Sequence, residues 1–132
     1  MRLARCSRLA VPLSLVLVGL AAAGEFAKEP VSEIRANVEA KKAVLVDVRE
    51  KEEWDRGHVE GAVPFPTSGV ADGLSAAELA KLPKDKVLYV HCVVGMRAMD
   101  VADVLKTHGF TVRPIDSDYK ELVAGGFAKA KE

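Results

Sequence analysis

Cysteine is nearly absent from this chain: Cys6 and Cys92 are the two it carries among 132 residues. Aromatic residues make up 5%, so the core has to be assembled from Val, Leu and Ala. An excess of either charge is also missing. The 19 Lys and Arg balance 19 Asp and Glu, and nothing in that total points to nucleic acid. The apolar run at residues 9–20 stops at twelve residues, short of the roughly 20 that a membrane-spanning helix needs. There is no internal repeat and no low-complexity tract. The three histidines and the cysteines show no metal-ligand spacing, so no metal site is expected. What remains is an ordinary globular balance, 49% hydrophobic and 29% charged, sufficient for one domain.

The first 23 residues have the three-part layout of a secretory signal peptide: basic Arg2, Arg5 and Arg8, the apolar run, then Ala21, Ala22 and Ala23. Pro12 disfavours a long unbroken anchor helix. Cys6 precedes the apolar run, where no lipid attachment site would lie. The expectation is export, most simply to a periplasm, with cleavage near Ala23; the alternative is a retained N-terminal anchor. Cleavage would remove three arginines and leave 16 basic residues against 19 acidic, a charge of −3. It would also leave Cys92 alone, unable to form an internal disulfide and free in an oxidising compartment. A thiol kept under those conditions weighs toward a reactive role.

After a polar lead-in at residues 24–30, the pattern alternates. Helix is predicted over residues 32–40, with Ser32 as cap and Ile34 and Val38 on one face. Residues 44–48 (VLVDV) and 86–91 read as buried strands, because runs apolar on both faces suit a parallel sheet covered on both sides. A short acidic helix is expected at 50–56, a brief strand at 62–65 held to an edge by Pro64 and Pro66, a loop at 67–74, and a helix at 75–82. The longest helix is placed at 97–108 with Val101, Val104 and Leu105 inward and Gly109 as C-cap. A last strand at 110–115, a last helix at 117–124 and a tail at 128–132 complete it. The fold class is α/β: a small open, mostly parallel sheet of about four to five strands, helices on both faces, with the domain at residues 31–127.

In such sheets the ligand crevice lies beyond the carboxyl ends of the strands. Two segments end there with chemistry attached, Asp47-Val48-Arg49 and the loop Cys92-Val93-Val94-Gly95-Met96-Arg97. If that loop wraps the sulfur, its successive N–H groups point inward, Gly95 permits the turn, and the following helix adds its dipole. An anionic sulfur would be stabilised there. Arg97 would add a fixed positive charge or brace the loop carbonyls. His91 neighbours the cysteine, but adjacent strand residues face opposite ways, so it should turn aside. His58 is expected packed and hydrogen-bonded, His108 at a helix C-terminus, and Met96 and Met99 in packing roles.

Residues 89–97 (YVHCVVGMR) resemble the active-site loop of single-domain rhodaneses, which are sulfurtransferases: cysteine, two variable residues, glycine, one residue, arginine. Residues 45–50 (LVDVRE), then Glu53-Trp54, Gly57-His58-Val59 and Gly61-Ala62, resemble that family's other marker segment, in the right order and separation. The resemblance implies a rhodanese-like fold and a nucleophilic Cys92 that carries a persulfide, with no metal or organic cofactor. It further implies loop amides of residues 93–97 as the anion site and Asp47 and Arg49 as buttresses. The partners it implies are a small sulfur donor and a thiol or cyanide acceptor, with a protein partner as an option. A cysteine phosphatase needs five residues between cysteine and arginine; here there are four. Apolar Val93 and Val94 stand where many family members carry a charged or polar group, and residues 116–120 (DSDYK) replace the family's Gly-Gly and tryptophan pattern. These departures disfavour small dianionic donors and keep a second class in view, a rhodanese-like binding, sensing or sulfur-carrier module.

Overall fold

The computed structural model describes residues 24–131; the expected signal segment lies outside the described residues. Ten elements follow one another along the described residues: α1 (Val31–Glu39), β1 (Ala43–Asp47), α2 (Lys51–Asp55), β2 (Val63–Pro64), α3 (Thr67–Ala71), α4 (Ala76–Leu79), β3 (Val87–His91), α5 (Met96–Thr107), β4 (Thr111–Pro114) and α6 (Tyr119–Ala124). The four strands form one sheet in the order β2-β1-β3-β4, parallel throughout. β2 is the short edge strand its prolines demand. Among the described residues no helix is long and apolar enough to cross a membrane.

The period of two along β1 and β3 sorts side chains into two cores. Val46, Leu88, Val90 and Cys92 join Val101 and Leu105 of α5 on one face. Leu45 and Tyr89 join Ile34 of α1 and Leu122 of α6 on the other. Both central strands are thus apolar without alternation because helices cover both sides. β1 and β3 end together, with Asp47 opposite His91, and this shared edge positions everything described below.

Several local expectations are corrected. Residues 67–71 are helical, not loop, because distant Glu50 caps them: its carboxylate accepts from Ser68 N at 3.1 Å and Ser68 Oγ at 2.7 Å. Pro30 and not Ser32 is the N-cap of α1, with no side-chain cap bond. On α5 the inward stripe is Ala98, Val101, Ala102 and Leu105, spaced three and four apart, which leaves Val104 exposed. α5 ends in a Schellman arrangement with His108 as cap. Gly109 follows at φ +86°, and Phe110 N donates to Leu105 O at 3.3 Å.

The flanking segments are both tied to the domain. Ala27 N donates to Pro114 O at 2.7 Å, which lays residues 24–30 along the end of β4 as a strap. At the other terminus Ala130 N donates to His58 O at 2.9 Å and Glu60 N to Ala128 O at 2.9 Å.

Candidate active site

Cys92 leaves β3 on the α5 face of the sheet, and its side chain is 1% exposed. The chain then turns sharply. Gly95 adopts φ +85°, a left-handed conformation that side chains resist, and α5 starts one residue later. The turn folds the Gly95 N–H back onto the sulfur, 3.1 Å from Cys92 Sγ. The N–H groups of Val93, Val94, Met96 and Arg97 are without a backbone acceptor among the described residues. The five-amide cradle expected from the sequence is therefore one amide on the thiol and four free donors on the same turn, at the start of a helix.

Around the turn the surface is apolar. Val93 is 45%, Val94 72% and Met96 71% exposed. They are three of the four large hydrophobics that stand out in solvent among the described residues. Asp116 borders the same turn: its Cα lies 3.5 Å from where a Cβ on Gly95 would sit. The turn after Cys92 is thus rimmed by apolar side chains, with the backbone of Asp116 against it.

Arg97 does not brace the loop carbonyls. Its guanidinium is turned to α2, with Nη1 2.7 Å from Glu53 Oε1 and Nη2 2.9 Å from Oε2. The hydrogen bond from Arg97 holds the Glu53 carboxyl below its ordinary value, and the same bond raises Arg97. Both stay ionised as a two-bonded pair, so Arg97 clamps the first turn of α5 to α2 and its charge is already matched. Glu53 stands in the upstream marker segment, but the sequence around it assigns it no role. The partners are 44 residues apart, and no local pattern joins them.

Asp47 and Arg49 form a buried ion pair. Arg49 Nη2 reaches Asp47 Oδ2 at 2.7 Å and Gly57 O at 2.8 Å, while Nε donates to Asp47 Oδ1 at 3.0 Å. The guanidinium also lies 5.4 Å from the centroid of the Tyr119 ring. His91 is fully buried on the Asp47 side of the sheet, away from the thiol, with Nε2 3.5 Å from Asp47 Oδ2 and neither ring nitrogen hydrogen-bonded. Burial lowers its pKa, against the pull of Asp47. His58 stacks on Trp54 at 3.6 Å, and its Nδ1 is 3.1 Å from Trp54 O. Among the described residues no group of His, Cys, Asp and Glu is placed to hold a metal ion.

A parallel sheet carrying a buried thiol at its carboxyl edge, in a glycine-turned loop of free amides, defines a thiol-centred α/β domain. The model of the rhodanese-like domain matches residues 30–125, and the chain belongs to that family. It is similar to a probable adenylyltransferase/sulfurtransferase, MoeZ, of Mycobacterium tuberculosis, 36% identical over 70% of this chain and 21% of the relative. It is also similar to a tRNA uridine(34) hydroxylase of an Enterobacter species, 31% identical over 66% of this chain and 25% of the relative. The chain thus spans about a fifth to a quarter of the length of these curated relatives. Among solved structures, a human single-domain sulfurtransferase superposes with a TM-score of 0.59 at 25% identity, covering 70% of this chain and 90% of that one. A rhodanese-related protein of Thermoplasma volcanium gives 0.62 at 20% identity, covering 77% and 95%, a likeness of fold alone.

Proposed function

We propose that this protein is a sulfurtransferase that moves a sulfane sulfur from a donor to a thiophilic acceptor through a persulfide on Cys92. The observation that carries the reading is the Gly95 N–H on Cys92 Sγ at 3.1 Å, in a turn whose other amides are free. The Cys92 thiolate attacks the outer sulfur of the donor. One S–S bond forms, the donor's own S–S bond breaks, and the remainder leaves with the electron pair, as sulfite when the donor is thiosulfate. The terminal persulfide sulfur is anionic, and the amides of residues 93–97 are the donors available to it. An acceptor thiolate or cyanide then attacks that sulfur, and Cys92 departs as thiolate, a ping-pong cycle. The chemistry calls for no metal or organic cofactor. Arg97 acts through position, fixing the start of α5.

The apolar mouth, Asp116 beside it and the matched charge of Arg97 support a polysulfide or a protein persulfide as donor over a small dianion. The composition of residues 1–23 supports export, most simply to a periplasm, with a retained N-terminal anchor as the other form of the same reading. The near-complete burial of Cys92 favours one second reading, a sulfur carrier or sensing module that serves a dedicated partner.

Intact-mass spectrometry on reduced protein incubated with thiosulfate or polysulfide tests the proposal. The expected result is one added sulfur, absent in Cys92→Ser and discharged by cyanide. Folded protein with a titratable thiol and no adduct from either donor would replace the sulfurtransferase reading with the sensing module.

A further inference from the structure

The strap that precedes the family-matched region touches the candidate site. A Cβ built on Gly95 would lie 2.5 Å from Phe26 Cζ and 2.6 Å from Phe26 Cε1, so the Phe26 ring fills the space that a side chain at 95 would need. Gly95 is thus held to glycine twice, by its φ of +85° and by the ring seated against it. The strap is in turn fixed to the domain at three points. Ala27 N donates to Pro114 O at 2.7 Å, Glu29 pairs with Arg113, and Gly24 lies against Met99 of α5, whose Sδ is 3.4 Å from a Cβ built there. Phe26 lies outside residues 30–125, the span of the family model.

We infer that Phe26 is a positioning residue for Cys92, holding through Gly95 the one amide that donates to the sulfur. A left-handed glycine in a six-residue turn is the softest point of the loop, since glycine has the most backbone freedom to regain. The ring, with the Asp116 backbone 3.5 Å from the same point, removes that freedom. The consequence is preorganisation: the donor at 95 is aimed before any anionic sulfur forms, and the loop has less to reorganise when it does. The consequence for turnover rests on the sulfurtransferase reading; the geometry does not.

The test is the pH profile of alkylation of Cys92 in the whole chain, resolved from Cys6 by peptide mass, which reads the thiol without requiring any sulfur transfer. Its plateau rate reports access and its midpoint reports the hold on the thiolate. Phe26→Ala should raise the midpoint by about one pH unit, the size expected when a hydrogen bond to a charged group is loosened. Ala27→Pro, which deletes the N–H that pins the strap and keeps the ring, should shift it the same way. Phe26→Leu, which refills the space, should return the midpoint close to the native one. Ser75→Ala, which removes the capping box of α4, should lower Tm and leave the midpoint in place. Unchanged midpoints in both Phe26→Ala and Ala27→Pro, on folded protein, would overturn the inference. That result is distinct from failure of the sulfurtransferase reading, which would show as absent sulfur loading with these midpoint shifts intact.

Discussion

Arg97 and Glu53 meet end to end, two nitrogens on two oxygens at 2.7 and 2.9 Å, and so the arginine that closes the Cys92 loop has its charge neutralised by α2. An arginine at the start of a helix opposes the helix dipole and gains nothing there by itself. Glu53 reverses that sign and converts the side chain into a tie between two elements. The charge at the mouth of the loop is therefore set by the pair and not by Arg97 alone.

Removing the acid should release that charge. Glu53→Gln is expected to lower the KM for thiosulfate severalfold with little change in kcat, while costing about 1 kcal/mol of stability, the scale of a half-buried ion pair. Steady-state kinetics with thermal melts checks both. A rise in KM with a fall in kcat would show that the clamp serves the cradle's geometry ahead of its charge.

The apolar rim makes a second expectation. Val94 is the most exposed of the three rim residues, and placing a guanidinium there should favour a dianion approaching the loop. Val94→Arg should raise kcat/KM for thiosulfate by about tenfold at low salt, with the gain fading as ionic strength rises. The native protein should show little salt dependence. Native kinetics already steep in salt, with a low KM, would contradict an apolar mouth.

Much of this architecture was legible in the residues. The runs in β1 and β3 are apolar on both faces, and that alone places them in a covered parallel sheet with Asp47 and Cys92 at one edge. The loop was legible because its determinants are local: a cysteine at a strand end, a glycine three residues on, a helix start. What escaped is what distance in sequence hides. Glu50 capping Ser68, Glu53 on Arg97 and Phe26 on Gly95 join segments 18, 44 and 69 residues apart, and no periodicity carries such pairings. Val104 was misplaced for a different reason. Its hydrophobicity outranks that of Ala98 and Ala102, but helix phase, not side-chain size, decides which residues turn inward.

Gly95 should tolerate no side chain. Gly95→Ala has to relieve both a left-handed backbone and the overlap with Phe26, a strain of about 2 kcal/mol. The expected outcome is a lower Tm and loss of sulfur loading by mass spectrometry. Combining it with Phe26→Ala should recover part of the stability, because one of the two conflicts is gone. Equal loss in the single and double variants would mean that the backbone conformation alone excludes the side chain.

His91 should set an acid limit on stability. Its folded pKa lies below the ordinary 6.5, chiefly through burial; Asp47 and Asp118 oppose the shift and Arg49 adds to it. The unfolded chain therefore binds the proton first as pH falls, and stability must decrease with it. The contribution is complete above about pH 6.5 and is lost progressively below, by at most about 1.4 kcal/mol per pH unit for a single group. Glu53 enters only lower, since its depressed pKa withholds its own loss until pH falls beneath the ordinary carboxyl value of 4.5. Urea melts between pH 5 and 8 isolate the histidine from it. His91→Leu, which cannot take up the proton, should flatten the profile over that window, and an unchanged slope would place the acid sensitivity elsewhere.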